Sequence, residues 1–198
     1  MLDNTLVLFT SDHGDMMGDF GLFFKSHFFE GAGRIPFILR PPKTWEDCIP
    51  AQRFDKPVSL IDIVSTFVDA AGGEANDVDG LSLLPTVRGE DPVGDRIFHG
   101  EIGPEAGRHH CLTDGKTKYT WFRNGGPEFL FDLEKDPDEL SNLAGEEERV
   151  RPWRVRLIEL LKARHDHAVE EGKLQPSPFE ATADRELRKI FPYGRRPF

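Results

Sequence analysis

The sequence predicts an α/β protein: part of an α/β layer, followed by a small antiparallel sheet packed on a helix. Three observations predict it. The apolar run Leu6-Val7-Leu8-Phe9 stops abruptly in Thr10-Ser11-Asp12-His13-Gly14-Asp15, as a buried strand does where it ends in a loop. Apolar residues recur at helical spacing from Leu60 to Ala71. Beyond about residue 94, short aromatic and aliphatic runs alternate with glycine-bearing turn signals, the pattern of an antiparallel meander.

Residues 1–90 read as the α/β part. After the first strand comes a loop from Gly14 to Gly33 that is rich in glycine and phenylalanine. A second buried strand is expected at Ile35–Leu39, with Pro36 at its beginning and Pro41-Pro42 stopping it. The helix Leu60–Ala71 has Ser59 as its N-cap and Gly72-Gly73 as its stop. Leu60, Ile63, Val64, Phe67, Val68 and Ala71 are expected in the core, with Asp62, Ser65, Thr66 and Asp69 outward.

Residues 91–174 read as the small lobe. Arg96–His99, His110–Leu112, Tyr119–Phe122 and Phe129–Phe131 are its strands, with turns at Asp114-Gly115 and Asn124-Gly125-Gly126. A helix from about Glu147 to Glu170 carries Val150, Trp153, Leu157, Leu160, Leu161 and Arg164 at helical spacing, and its glutamate-rich start suits the helix dipole. Residues 175–198 form a proline-rich tail ending in aromatics and arginines, residue types that dock on surfaces.

Composition narrows the function. With 198 residues, 38% hydrophobic and 30% charged, the chain suits one globular domain or one domain with a smaller lobe. Its net charge of −10 argues against nucleic acid and anionic membranes as partners. No apolar run is long enough to span a bilayer. Met1-Leu2-Asp3-Asn4-Thr5 lacks the basic start and apolar core of a leader, which favours the cytoplasm. The two cysteines, Cys48 and Cys111, are far apart and form no C-x-x-C pair, so no cysteine-rich metal module is present.

The chemistry concentrates early. Asp12 and His13 stand at a strand's carboxyl end, where ligands collect in open α/β sheets, and adjacent carboxylate and imidazole groups there can share one divalent cation. Lys25 is a lone cation between Leu22-Phe23-Phe24 and Phe28-Phe29. A lysine in such a setting reaches water or meets an anion, because an unpaired buried ammonium is costly. Elsewhere the signals are weaker. His165-Asp166-His167 puts its histidines on different faces of the last helix, and His99 and His109-His110 read as surface or core residues.

Here the sequence resembles a known family. The run Asn4 to Leu22, then Lys25-Ser26-His27-Phe28-Phe29-Glu30-Gly31 with Arg34-Ile35-Pro36, and later Phe129 to Leu143, are similar to the carboxyl-terminal half of the sulfatases. The resemblance implies an alkaline-phosphatase-like fold and hydrolysis of a small anionic sulfate ester. It implies that Asp12 and His13 are metal ligands and that Lys25 holds a sulfate oxygen. The implied metal is calcium, or manganese, zinc or ferrous iron if the chain is a phosphonate monoester hydrolase. The family's maturation motif C-x-P-x-R is missing; Cys48-Ile49-Pro50-Ala51-Gln52-Arg53 places its arginine one position late. An amino-terminal half carrying the nucleophile is therefore expected as a partner, and this chain alone is expected to be inactive and prone to self-association. A naturally short, non-catalytic binding module is the alternative.

Overall fold

A computed structural model describes residues 2–104 and 107–177. In chain order its elements are β1 (Val7–Thr10), α1 (Glu30–Gly33), β2 (Phe37–Arg40), α2 (Asp62–Ala70), α3 (Leu84–Val87), β3 (Phe98–Ile102), β4 (His109–Thr113), β5 (Thr117–Phe122), β6 (Glu128–Asp132), α4 (Glu147–Ala163), β7 (Val169–Glu170) and β8 (Lys173–Leu174). They fall into two compact units, residues 2–13 with 35–96, and residues 14–34 with the described residues from 97 onward. Among the described residues no helix is long and apolar enough to cross a membrane. The tail expected at 175–198 lies outside the described residues from 178 onward.

In the first unit, β1 and β2 pair antiparallel, with Phe9 opposite Ile38. Both expected strands are present, but they are not buried. Phe9 is 60% and Ile38 59% exposed, so one face of this ribbon presents apolar side chains outward. Pro36 precedes β2, where its missing N–H costs no ladder bond.

Helix α2 corrects the expected orientation. Its buried residues are Asp62, Ser65 and Thr66, while Val64 and Phe67 are exposed. The returning loop explains the inversion by satisfying those polar groups. Asp62 accepts hydrogen bonds from the Leu81 and Ser59 amides and pairs with Arg96 at 2.8 Å. Ser65 Oγ donates to the Gly80 carbonyl, and the Leu83 amide donates to Thr66 Oγ1. Periodicity identifies the apolar stripe but not which side this loop covers. Nor does Ser59 cap the helix with its hydroxyl; its amide bonds to Asp62 instead. The glycine stop is as expected: Gly72 takes φ +76°, its amide bonding to Asp69 O and that of Gly73 to Val68 O, a Schellman ending.

The second unit is a four-stranded antiparallel meander in the order β3-β4-β5-β6, covered on both faces. One face carries Phe122, Phe129 and Phe131 and packs against Met16, Phe20, Phe29 and Ala32 of the 14–34 loop. The other carries Leu112, Tyr119, Trp121 and Leu130 and packs against Val150, Leu157 and Leu161 of α4. Strand alternation sorts the two sets. Helix α4 stops at Ala163, seven residues short of the expected Glu170, because His165 turns left-handed (φ +55°) and a short β7–β8 hairpin follows. His165, Asp166 and His167 therefore lie beyond the helix, and Asp166 accepts from the Ala168 amide.

The segment Phe129 to Leu143, singled out by its pattern, turns out to be structural. Asn142 accepts from the Leu130 and Ala144 amides and donates to the Glu128 carbonyl. Asp136 accepts from the Leu140 and Ser141 amides. A buried ion group then ties the 14–34 loop to the sheet. Lys118 Nζ donates to Glu30 Oε1 at 2.6 Å and to the Phe28 carbonyl at 2.7 Å, and lies 3.0 Å from Glu139 Oε1. Glu139 also accepts from the Glu30 amide at 2.6 Å.

Gly14 shows how close the loop's two ends come. Its amide donates to Ala32 O at 2.9 Å, and a Cβ there would sit 2.1 Å from Gly31 O. Gly14→Ala is expected to destabilise the chain by about 2 kcal/mol, since backbone must move to admit the methyl. A urea-unfolding midpoint equal to wild type would contradict this.

Candidate functional site

Asp12 and His13 follow β1 after one residue, Ser11, where the chain leaves the ribbon. Ser11 Oγ donates to the His13 carbonyl at 2.7 Å, which tightens the turn. Asp12 Oδ2 lies 3.3 Å from His13 Nε2, and the Asp12 side chain is 80% exposed. Two ligands at right angles, each about 2.4 Å from a cation, stand about 3.4 Å apart. The pair therefore fits neighbouring positions of one coordination shell. It supplies two donors, so further ligands would have to come from other residues. An oxygen with an imidazole nitrogen suits transition metals at least as well as calcium.

Lys25 belongs to the second unit. Its loop is cinched by Met16 N to Phe24 O and Gly18 N to Leu22 O bonds, both under 3 Å, and Phe24 adopts φ +66°. Lys25 is exposed and flanked by exposed Phe23 and Phe24, so of the two expected outcomes it is the one that reaches water. Among the described residues the desolvated lysine is Lys118, which is 5% exposed and which no motif in the sequence marks. Burial pulls its pKa down, but the Glu139 and Glu30 carboxylates outweigh that and leave it raised. Burial likewise pushes Glu139 up, against the pull of Lys118. Cys48 is a free loop cysteine, and Cys111 is free and buried, its thiol pushed up to about 11 by burial.

The histidines form a second cluster. His99, Glu101 and His110 are, among the described residues, the one group of three ligand-type side chains whose donor atoms converge, all within 4.8 Å. His110 is fully buried against Trp121, with ring centroids 5.6 Å apart. Its Nδ1 lies 3.2 Å from His99 Nε2, and His99 Nδ1 lies 3.1 Å from Arg164 Nη1. The signal in the sequence was a His-x-Glu alternation on one strand and a His on the next. Only the pairing register brings them together.

Burial first, then the neighbouring His99, lowers the His110 pKa to about 4. An unfolded chain binds this proton below about pH 6.5, whereas the folded chain does so only near pH 4. Folding stability from this residue is thus complete above pH 6.5 and falls by about 3 kcal/mol as the pH drops to 4. Urea titrations at several pH values should show a slope that is shallower in His110→Gln. An unchanged slope would contradict the assignment.

The comparisons with known proteins find similarity to sulfatases and to a phosphonate monoester hydrolase. The family model for sulfatases, described as "Sulfatase", matches residues 1–73. An arylsulfatase of Clostridium perfringens is 38% identical over 177 residues, covering 87% of this chain and 37% of that protein. Among solved structures, BT1596, a 2-O GAG sulfatase, is similar at TM-score 0.66 and 27% identity, over 83% of this chain and 37% of its own. The phosphonate monoester hydrolase SpPMH from Silicibacter pomeroyi is similar at TM-score 0.67 and 28% identity, over 88% of this chain and 39% of its own. This chain spans less than two fifths of the length of each. Its fold is a partial alkaline-phosphatase-like α/β arrangement with an antiparallel sheet packed on a helix. Residues 1–73 match the sulfatase family model, and most of the chain is similar in sequence and fold to part of the sulfatases compared with it.

Proposed function

We propose that this chain is the carboxyl-terminal part of a metal-dependent sulfatase and supplies two metal ligands, Asp12 and His13, and an anion-holding lysine, Lys25. The observation that carries the reading is the 3.3 Å spacing of Asp12 Oδ2 and His13 Nε2, inside the residues matched by the sulfatase model. A bound divalent ion would supply Lewis-acid polarisation of the ester. Asp12 and His13 hold and orient that ion, and the Lys25 ammonium neutralises charge that develops on a non-bridging oxygen. The substrate is a small sulfate ester and the metal calcium.

An amino-terminal half is the proposed partner, and the exposed apolar side chains of Phe9, Ile38, Val64 and Phe67 in the first unit support it. A polypeptide packed on them would remove these apolar side chains from water. The same faces would favour self-association of the chain by itself. The absence of C-x-P-x-R from the sequence supports both inactivity in isolation and the alternative of a non-catalytic binding module. A phosphonate monoester hydrolase with manganese, zinc or ferrous iron is favoured by the likeness to SpPMH and by the nitrogen donor of His13.

The test compares hydrolysis of an aryl sulfate and an aryl phosphonate monoester by the product of the complete gene and by this chain. Calcium-dependent sulfate hydrolysis by the former alone, lost in Asp12→Ala, is the expected result. Phosphonate preference moves the assignment to that class. Turnover that survives both Asp12→Ala and His13→Ala overturns the metal-ligand roles.

A further inference from the structure

We propose that His99, Glu101 and His110 form a binding site for a divalent transition-metal ion of the zinc type, on the side of the sheet that faces α4. The register builds it. His99 and Glu101 are two apart on β3 and so share a face, and Glu101 stands directly opposite His110 on β4. Three donors on one face of a hairpin thus converge without any loop. None of them takes part in the Asp12–His13 pair or the Lys25 loop, so the site stands independently of the sulfatase reading.

The distances suit a tetrahedral ion. Two imidazole nitrogens about 2.0–2.1 Å from zinc stand about 3.3 Å apart, and His99 Nε2 and His110 Nδ1 are 3.2 Å apart. Glu101 Oε2 lies 4.0 Å from His110 Nδ1, on a side chain that is 44% exposed, so a rotation closes the remaining gap. Donor chemistry of two nitrogens and one carboxylate oxygen, with a fourth position open to water, matches a first-row transition ion and not calcium. His110 is fixed by Trp121, which makes one ligand rigid before any ion arrives.

Arg164 controls the site. Its guanidinium can only donate, so His99 Nδ1 accepts from it, and the ring's single proton sits on Nε2, pointing at His110 Nδ1. That tautomer blocks the metal. When Arg164, an exposed residue at the end of α4, swings away, the proton moves from Nε2 to Nδ1 and frees the nitrogen that faces His110. The ring keeps one proton throughout, so binding releases none from His99. An acceptor at position 164 would hold the Nδ1 proton and favour the ligating tautomer, as second-shell carboxylates do for zinc-bound histidines.

The test is calorimetric titration of the 198-residue chain with Zn2+, and Co2+ absorption as a report of geometry. One ion per chain with a tetrahedral Co2+ spectrum is expected. Affinity should weaken at least tenfold in Glu101→Gln and in His99→Gln, and tighten about tenfold in Arg164→Glu. Asp12→Asn with His13→Gln should leave it unchanged. Glu101 and Arg164 are surface side chains, so their variants keep the test open if a His110 variant fails to fold. Absence of stoichiometric binding, or binding that persists in the Glu101→Gln/His99→Gln double variant, overturns the proposal.

Discussion

Replacing Lys118 by methionine is expected to destabilise the chain by about 3–5 kcal/mol, the usual effect of removing one partner from a buried ion group. Glu139 is 1% exposed and Glu30 stands beside it, with Lys118 Nζ within 3.0 Å of both carboxylates. Without the ammonium, two carboxylates remain at one desolvated place, and one must take up a proton or draw in water. The Phe28 carbonyl also loses its donor. For a chain of this size the melting temperature should fall by about 10 °C. Adding Glu139→Gln to Lys118→Met should recover part of the loss, because the second change removes the orphaned charge. Lys135→Ala is the control: Lys135 pairs with Asp132 at 3.1 Å but is 84% exposed, so its loss should stay within about 0.5 kcal/mol. Equal effects at 118 and 135 would show that the buried group does not hold the loop to the sheet.

Lys25→Ala should do the opposite, leaving the fold intact while abolishing most turnover. Lys25 is exposed, so its truncation should cost the fold within about 0.5 kcal/mol. In the product of the complete gene, loss of a fixed cation aimed at a developing anion should lower kcat about 100- to 1,000-fold. The effect should fall on kcat more than on KM, since the charge it meets grows in the transition state. Near-normal turnover would remove Lys25 from the reaction. The contrast with Lys118 would separate the lysines: on the proposed reading one is needed for folding and the other for chemistry. Only burial tells them apart, for both sit among aromatic residues in the sequence.

Periodic and punctuated features are legible in the residues alone. Alternation within β3 to β6, with glycine turns between them, specified the meander, because strand geometry and turn chemistry are local. Gly72-Gly73 specified a helix stop for the same reason, a left-handed residue that only glycine adopts at low cost. Asp12 and His13 were legible as a pair because adjacency in the chain is adjacency in space.

Other features depend on contacts between distant segments. Helix α2 buries Asp62, Ser65 and Thr66 and exposes Val64 and Phe67 because the loop of residues 79–83 returns on its polar side. No periodicity in the helix encodes that return. Lys118 became the buried lysine because Glu30, 88 residues away, and Glu139 meet it there. The His99–Glu101–His110 cluster required the β3–β4 register, since a slip of one residue would send His110 to the opposite face of the sheet. Charge neutralisation and donor convergence are properties of three dimensions, and the sequence shows only the groups available for them.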